Sequence, residues 1–137
     1  MPDVLTAAQR RRCMSRIGAN NTNPELRVRG LLHALGYRYR LHRRDLPGTP
    51  DIVFPARRKV IFVHGCFWHR HSCKSGSSMP RTNRGFWKKK LSRNVARDRK
   101  NLAELADLGW HALIVWECET RSLEEHAPQI QRFLDTE

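Results

Sequence analysis

The apolar positions of this chain fall into short runs and narrow stripes, and their period alternates between helix and strand. After Asn23-Pro24, a helix start with proline at the first helical position, Val28, Leu31, Leu32 and Leu35 repeat on one helical face. Gly36 is a natural terminator. Tyr37 to Leu41 reads as a first strand. Leu46-Pro47-Gly48-Thr49-Pro50 is a rigid turn that delivers Asp51 to a short strand, Asp51 to Phe54. Pro55 to Arg58 turns the chain back, and Lys59 to His64 returns as a largely apolar strand. If these two strands pair as a hairpin, Asp51 comes opposite the Phe62 to His64 end, a carboxylate beside an imidazole at one lip of the sheet. A long helix is expected from about Phe86 to Leu108, with Trp87, Leu91, Val95, Leu102 and Leu105 on its buried face. Ala112 to Trp116 is a further strand, and Leu123 to Leu134 a closing helix. The order helix, hairpin, helix, strand, helix predicts an α/β fold, a mixed sheet flanked by helices.

Three polar residues interrupt this pattern. Glu25 lies three residues before Val28 and so falls on the inward stripe, at the positive end of its helix. Asn94 and Asp98 share the buried side of the long helix, where polar groups need partners.

The chain has 137 residues, enough for one domain with a real core. A basic N-terminal segment, residues 1–20, is expected to become ordered on nucleic acid, and residues 21–137 to form the domain. Lys and Arg number 26 against 13 Asp and Glu, a formal net charge of +13. That excess favours a polyanion through counterion release, with nucleic acid ahead of a membrane surface. Nine basic residues and one acid occupy Arg81 to Lys100, whereas the chain beyond Trp116 is acidic. A basic working surface and a solvated terminal helix fit that asymmetry. The longest apolar runs are strand-sized and the N-terminus lacks an apolar signal core, so a cytoplasmic protein is expected.

In a reducing compartment, the four cysteines read as metal ligands before disulfides. Cys66, His71 and Cys73 can turn towards one tetrahedral ion, and Cys118, brought back by a strand, would complete a closed Cys₃His zinc site. Such a site is structural, since no coordination position stays open for substrate. Cys13 is left as a free thiol. Phe67 and Trp68, between the ligands, either cover the metal or form a stiff wedge that unstacks a base step. Met14 offers the same from the N-terminal segment, or packs on the domain.

Asp51, His64, His69, Glu25 and Asp98 stand where simpler residues would serve. Singly each has a plain role: Asp51 as a turn cap, His64 as a strand-end histidine, Asp98 as a salt-bridged helix acid. Together they suit metal-assisted phosphodiester hydrolysis, because a strand-edge carboxylate binds Mg²⁺ and nearby imidazoles move protons near neutral pH. Two rivals share these residues: a non-catalytic zinc-stabilised DNA-binding module, and a restriction-type nuclease acting on ordinary duplex.

Pro47-Gly48-Thr49-Pro50-Asp51, the run Val60 to Cys73, Asn94-Val95 with Arg97-Asp98-Arg99, and Leu108-Gly109-Trp110 through Ile114 to Cys118 closely resemble the very short patch repair (Vsr) mismatch endonucleases. The likeness runs from about Thr6 to Cys118. It implies a restriction-endonuclease-like fold with structural Zn²⁺, in a bacterial protein that acts as a monomer at the nucleoid. It also implies a Mg²⁺-dependent nick 5′ to the thymine of a T·G mismatch in double-stranded DNA, the product of 5-methylcytosine deamination. By position, Asp51 and the backbone carbonyl of Val63 would hold Mg²⁺, although family members often carry a hydroxyl residue at Val63. His69 is similar to the family's general base and His64 to its partner at the phosphate, with Glu25 and Asp98 as supporting acids. Met14, Phe67, Trp68 and Trp87 match the residues that pry the duplex apart, and Asn94 falls within a matching DNA-side motif. Contacts with other mismatch-repair proteins would fit the same family.

Overall fold

In a computed structural model, the described residues are 23–74 and 76–136. They form helix α1 (Asn23–Ala34), strands β1 (Arg40–Leu41), β2 (Ile52–Phe54) and β3 (Lys59–His64), helix α2 (Arg84–Asp107), strand β4 (His111–Trp116) and helix α3 (Leu123–Asp135). Short 3₁₀ turns at Pro55–Arg57 and Glu117–Ser122 join β2 to β3 and β4 to α3. The basic segment 1–20, with Cys13 and Met14, lies outside the described residues.

The strands make one mixed sheet in the order β1-β2-β3-β4. The hairpin pairs Ile52 with Ile61, Val53 with Val60 and Phe54 with Lys59, antiparallel. β3 and β4 run parallel, from Lys59 opposite His111 to His64 opposite Trp116. A tight turn cannot connect parallel neighbours, so α2 provides the crossover.

Both faces of the sheet are covered, which is why β2 and most of β3 are continuously apolar rather than alternating. On one face, Val28 and Leu32 of α1 and Ile130 and Leu134 of α3 pack on Ile52 and Ile61. On the other, Leu105 of α2 packs with Leu46, Val53, Val60 and Phe62. Each of these buried side chains contributes about 1.5–3 kcal/mol by leaving water. Only Leu91 and Leu105 of α2 are fully buried, which leaves the helix's long cationic side to solvent. Lys59, itself buried, donates from Nζ to the carbonyls of Phe133, Leu134 and Thr136, and Arg57 to that of Leu134. Two cations thus cap the C-terminus of α3 and hold it to the start of β3.

Beyond shifts of one or two residues at the ends of β2, α2, β4 and α3, two boundaries differ from the sequence expectation. β1 spans two residues rather than Tyr37 to Leu41, because its partner β2 is short and Pro55, without an N–H, ends that ladder. Tyr37 and Tyr39 instead pack edge-on against the Phe54 ring, each at 6.3 Å. Leu35, expected on the inward stripe of α1, is exposed, since the helix ends at Ala34 and Gly36 takes a positive φ of 87°. The buried face of α1 is Glu25, Val28 and Leu32. Among the described residues, no helix is long and apolar enough to cross a membrane.

Candidate active site

The hairpin register carries Asp51 to the end of β3. Its Oδ2 accepts the N–H of Val63 at 2.8 Å, so the acid closes the ladder where β2 has run out of backbone. Glu25 reaches the same place from α1, and Glu25, His42 and Asp51 offer ligand atoms all within 4.8 Å of one another. Glu25 is 1% exposed. Its carboxylate is met by His42 Nε2, 2.9 and 3.0 Å from its two oxygens, and by Arg29 Nη1 at 3.0 Å. Burial pushes the Asp51 carboxyl up to about 7; the neighbouring Glu25 adds to this, while the Val63 N–H and His42 oppose it. A buried and a partly buried carboxylate side by side, one of them reluctant to ionise alone, suit a hard divalent cation.

His64, the next residue along β3, is buried and stacks on His69, ring centres 3.8 Å apart and planes 9° apart. His69 in turn places Nδ1 2.5 Å from Asp98 Oδ2 on α2. The polar interruption of the α2 stripe is thereby explained: Asp98 meets His69, and Asn94 Nδ2 donates to the Trp68 carbonyl at 3.2 Å. Burial pulls His64 down to about 4, with His69 adding repulsion and Asp98 opposing. His64 Nδ1 is buried and finds no hydrogen-bond partner among the described residues. A neutral imidazole with a buried, unpartnered nitrogen is costly unless a ligand completes it.

Cys66, His71, Cys73 and Cys118 converge, their ligand atoms all within 4.8 Å of one another. The backbone explains the local trio. His69 N–H bonds to Gly65 O, and His71 N–H to Cys66 O, around Arg70 at a φ of 55°. This turn brings Cys66 and His71 together and leaves Trp68 45% exposed. Cys118 arrives because parallel pairing sets His64 opposite Trp116, two residues before it. Its Sγ lies 3.5 Å from His71 Nδ1, and its N–H donates to Cys66 Sγ at 3.3 Å. The Gly76 N–H on its sulfur draws the Cys73 thiol down to about 6, whereas burial drives Cys66 up to about 12. Three sulfurs and an imidazole at this spacing fit a tetrahedral metal ion.

Beside this knot, Phe67, Trp68 and Trp87 form an aromatic cluster with ring centres 5.2–5.8 Å apart. Lys90 Nζ sits over the Trp68 and Trp87 rings at 5.4 and 5.7 Å. The aromatics therefore project beside the knot, on the cationic edge of α2.

Three residues escaped the sequence reading. His42 lies in a basic run with no periodicity, and only the folded edge of the sheet reveals its contact with Glu25. Trp116 stacks on His71 at 4.3 Å and meets His64 edge-on at 5.4 Å, so it is a wall shared by the cysteine knot and the imidazole pair. Phe86, 59% exposed, extends the aromatic cluster through Trp87.

Known proteins resemble this chain. A family model described as DNA mismatch endonuclease Vsr matches residues 2–75. The type II nicking enzyme V.XorIIP of Xanthomonas oryzae pv. oryzae is 49% identical over 135 residues, 98% of either chain. DNA mismatch endonuclease Vsr of Escherichia coli is 43% identical over 125 residues, 91% of this chain and 80% of that one. Among solved structures, the catalytic domain of homing endonuclease I-Bth0305I is 22% identical and superposes with a TM-score of 0.57, covering 82% of this chain and 94% of that one. The last likeness is one of fold, a restriction-endonuclease-like sheet between helices. On the strength of the family model and of relatives matched over most of their length, the chain belongs to the Vsr family of DNA mismatch endonucleases.

Proposed function

We propose that this endonuclease acts as a monomer and nicks one strand of duplex DNA on the 5′ side of the thymine in a T·G mismatch, by Mg²⁺-dependent hydrolysis. One observation carries the chemistry. The Asp51 carboxylate takes the N–H of Val63, the residue just before His64, so the acid pair and the imidazole pair stand at the same end of the sheet. The nick and the mismatch draw on relatives named as nicking enzymes and as a mismatch endonuclease.

Asp51, with the Val63 carbonyl, would hold Mg²⁺, and Glu25 would shape the same pocket. Bound there, the ion supplies electrostatic stabilisation to the charge that grows on the phosphate and leaving oxygen. His69, its Nδ1 fixed on Asp98, is oriented to take a proton from the attacking water through its other nitrogen. His64, which burial keeps neutral, would serve as the partner of His69 at the phosphate, as the family resemblance implies. Cys66, His71, Cys73 and Cys118 would hold Zn²⁺ as a closed structural site, the donor set and spacing being those zinc favours. Phe67, Trp68 and Trp87 would enter the stack at the mismatch, with Met14 joining from the N-terminal segment and Asn94 steadying the wedge through the Trp68 carbonyl.

The test is strand-resolved cleavage of end-labelled duplexes that differ at one pair, T·G against T·A and C·G, with and without Mg²⁺. The expected result is a single nick in the thymine strand of T·G alone, dependent on the ion. Equal cutting of T·A would make the protein a restriction-type nuclease, and binding without cutting a DNA-binding module.

A further inference from the structure

We infer that His42 is a positioning residue for the acid pair and that it sets how tightly this site holds a divalent cation. The inference rests on the reading of Asp51 as the carboxylate for that cation.

His42 follows β1, at the edge of the sheet, with a φ of 47°. This left-handed region is sparsely populated by residues other than glycine, and a non-glycine residue stays there only when its surroundings hold it. Two fastenings do so. The His42 N–H donates to the main-chain carbonyl of Asp51 at 3.2 Å. Its Nε2 lies 3.0 Å from Glu25 Oε1 and 2.9 Å from Oε2. One residue is thus tied to the backbone of one acid and to the carboxylate of the other. Those acids come from separate elements, Glu25 from α1 and Asp51 from the entry to β2.

The consequence follows from charge and burial. Glu25 is almost wholly enclosed and lies beside Asp51, so the two carboxylates repel within a poorly solvated space. Arg29 bonds Glu25 Oε2 and His42 Nε2 meets both oxygens, so the imidazole ties the carboxylate to the sheet edge beside Asp51. Removing it frees Glu25 to turn from Asp51, and the oxygens that would face a cation are no longer held together. Loss of a group that orients metal-binding residues in this way typically costs roughly 10–100-fold in metal affinity or activity.

Binding of Mn²⁺, followed by loss of its free-ion electron paramagnetic resonance signal, tests this on the full chain. Four proteins are compared: wild type, Asp51→Asn, His42→Leu and His42→Gln, each checked for folding by circular dichroism. We expect His42→Leu to bind Mn²⁺ about 10-fold or more weakly. The Mg²⁺ concentration for half-maximal nicking should rise in step, with kcat at saturating Mg²⁺ much less affected. His42→Gln, whose amide can still donate to Glu25, should recover most of the affinity. Wild-type Mn²⁺ binding by His42→Leu, alongside weakened binding by Asp51→Asn, would overturn the role of His42 alone. Unchanged binding by Asp51→Asn would instead overturn the reading of the site on which it rests. If His42→Leu does not fold, His42→Asn replaces it. Its side chain is too short to span Glu25, so equal affinities for the Asn and Gln variants would refute the inference.

Discussion

The carboxylate of Asp98 lies 2.5 Å from Nδ1 of His69, across 29 positions of sequence. A hydrogen bond at Nδ1 fixes the tautomer and stabilises the imidazolium that forms when the ring accepts a proton. Asp98→Asn keeps the shape but removes the charge. On the hypothesis that His69 is the general base, the nicking rate should fall by roughly 10²–10⁴-fold while duplex affinity is retained. Single-turnover kinetics beside an anisotropy titration measure both, and near-wild-type nicking would detach Asp98 from the chemistry.

Asp51 titrates at about 7 in the folded protein without metal, against a usual value of 3.8, chiefly because it is buried. Between those values the folded state holds a proton that the unfolded state has lost, so folding stability declines as pH rises from about 4 to 7 and stays lowered above. Asp51→Asn removes the penalty. Metal-free Asp51→Asn should therefore melt above wild type at pH 8, by an amount of order 1–4 kcal/mol that fades as the pH falls through 7 towards 4. His64 is depressed to about 4 and gives the opposite slope between its usual 6.5 and 4, but it does so in both proteins and cancels in the difference. Thermal melts at pH 5 and 8 decide the matter: a gain independent of pH would show that Asp51 is not strained by ionisation.

Cys73 supplies one of four converging donors, and its thiol, drawn down to about 6, sheds its proton readily. Cys73→Ser should lower bound zinc and destabilise the fold by several kcal/mol, a part of the roughly 10–16 kcal/mol that a structural zinc site can contribute. Elemental analysis with thermal melting gives the answer, and one zinc per chain in the variant would refute Cys73 as a ligand.

Trp68 is 45% exposed beside Trp87 and Lys90. A wedge loses affinity for DNA when truncated, whereas a cover loses stability. Trp68→Ala should weaken binding to a T·G duplex by about 1–3 kcal/mol, the worth of one aromatic–base stack. Its folding stability should change by less than about 1 kcal/mol. A large drop in melting temperature with unchanged affinity would assign Trp68 to covering the metal knot instead.

The hairpin and the β3 strand were legible because proline turns and apolar runs bracket them, and their pairing register follows once the turn at Pro55 is placed. The long helix was legible from its stripe, and Asn94 and Asp98 announced themselves as misfits on it. The first strand was overread. Tyr37 and Tyr39 have strand-forming side chains, but the partner strand is three residues long, and a ladder extends no further than its partner. His42 and Trp116 were illegible for a different reason. A histidine in a basic run and a tryptophan at a strand end carry no local mark of purpose, and their roles come from residues on other elements.

The parallel pairing of β3 with β4 has one more effect. A slip of a single residue would turn Trp116 and its neighbours to the opposite face and carry Cys118 away from Cys66. The same error would strip the imidazole stack of its aromatic wall. Convergence of the Cys66, His71, Cys73 and Cys118 donors and the walling of the His64–His69 stack by Trp116 therefore depend on one register, and a mispaired chain forms neither.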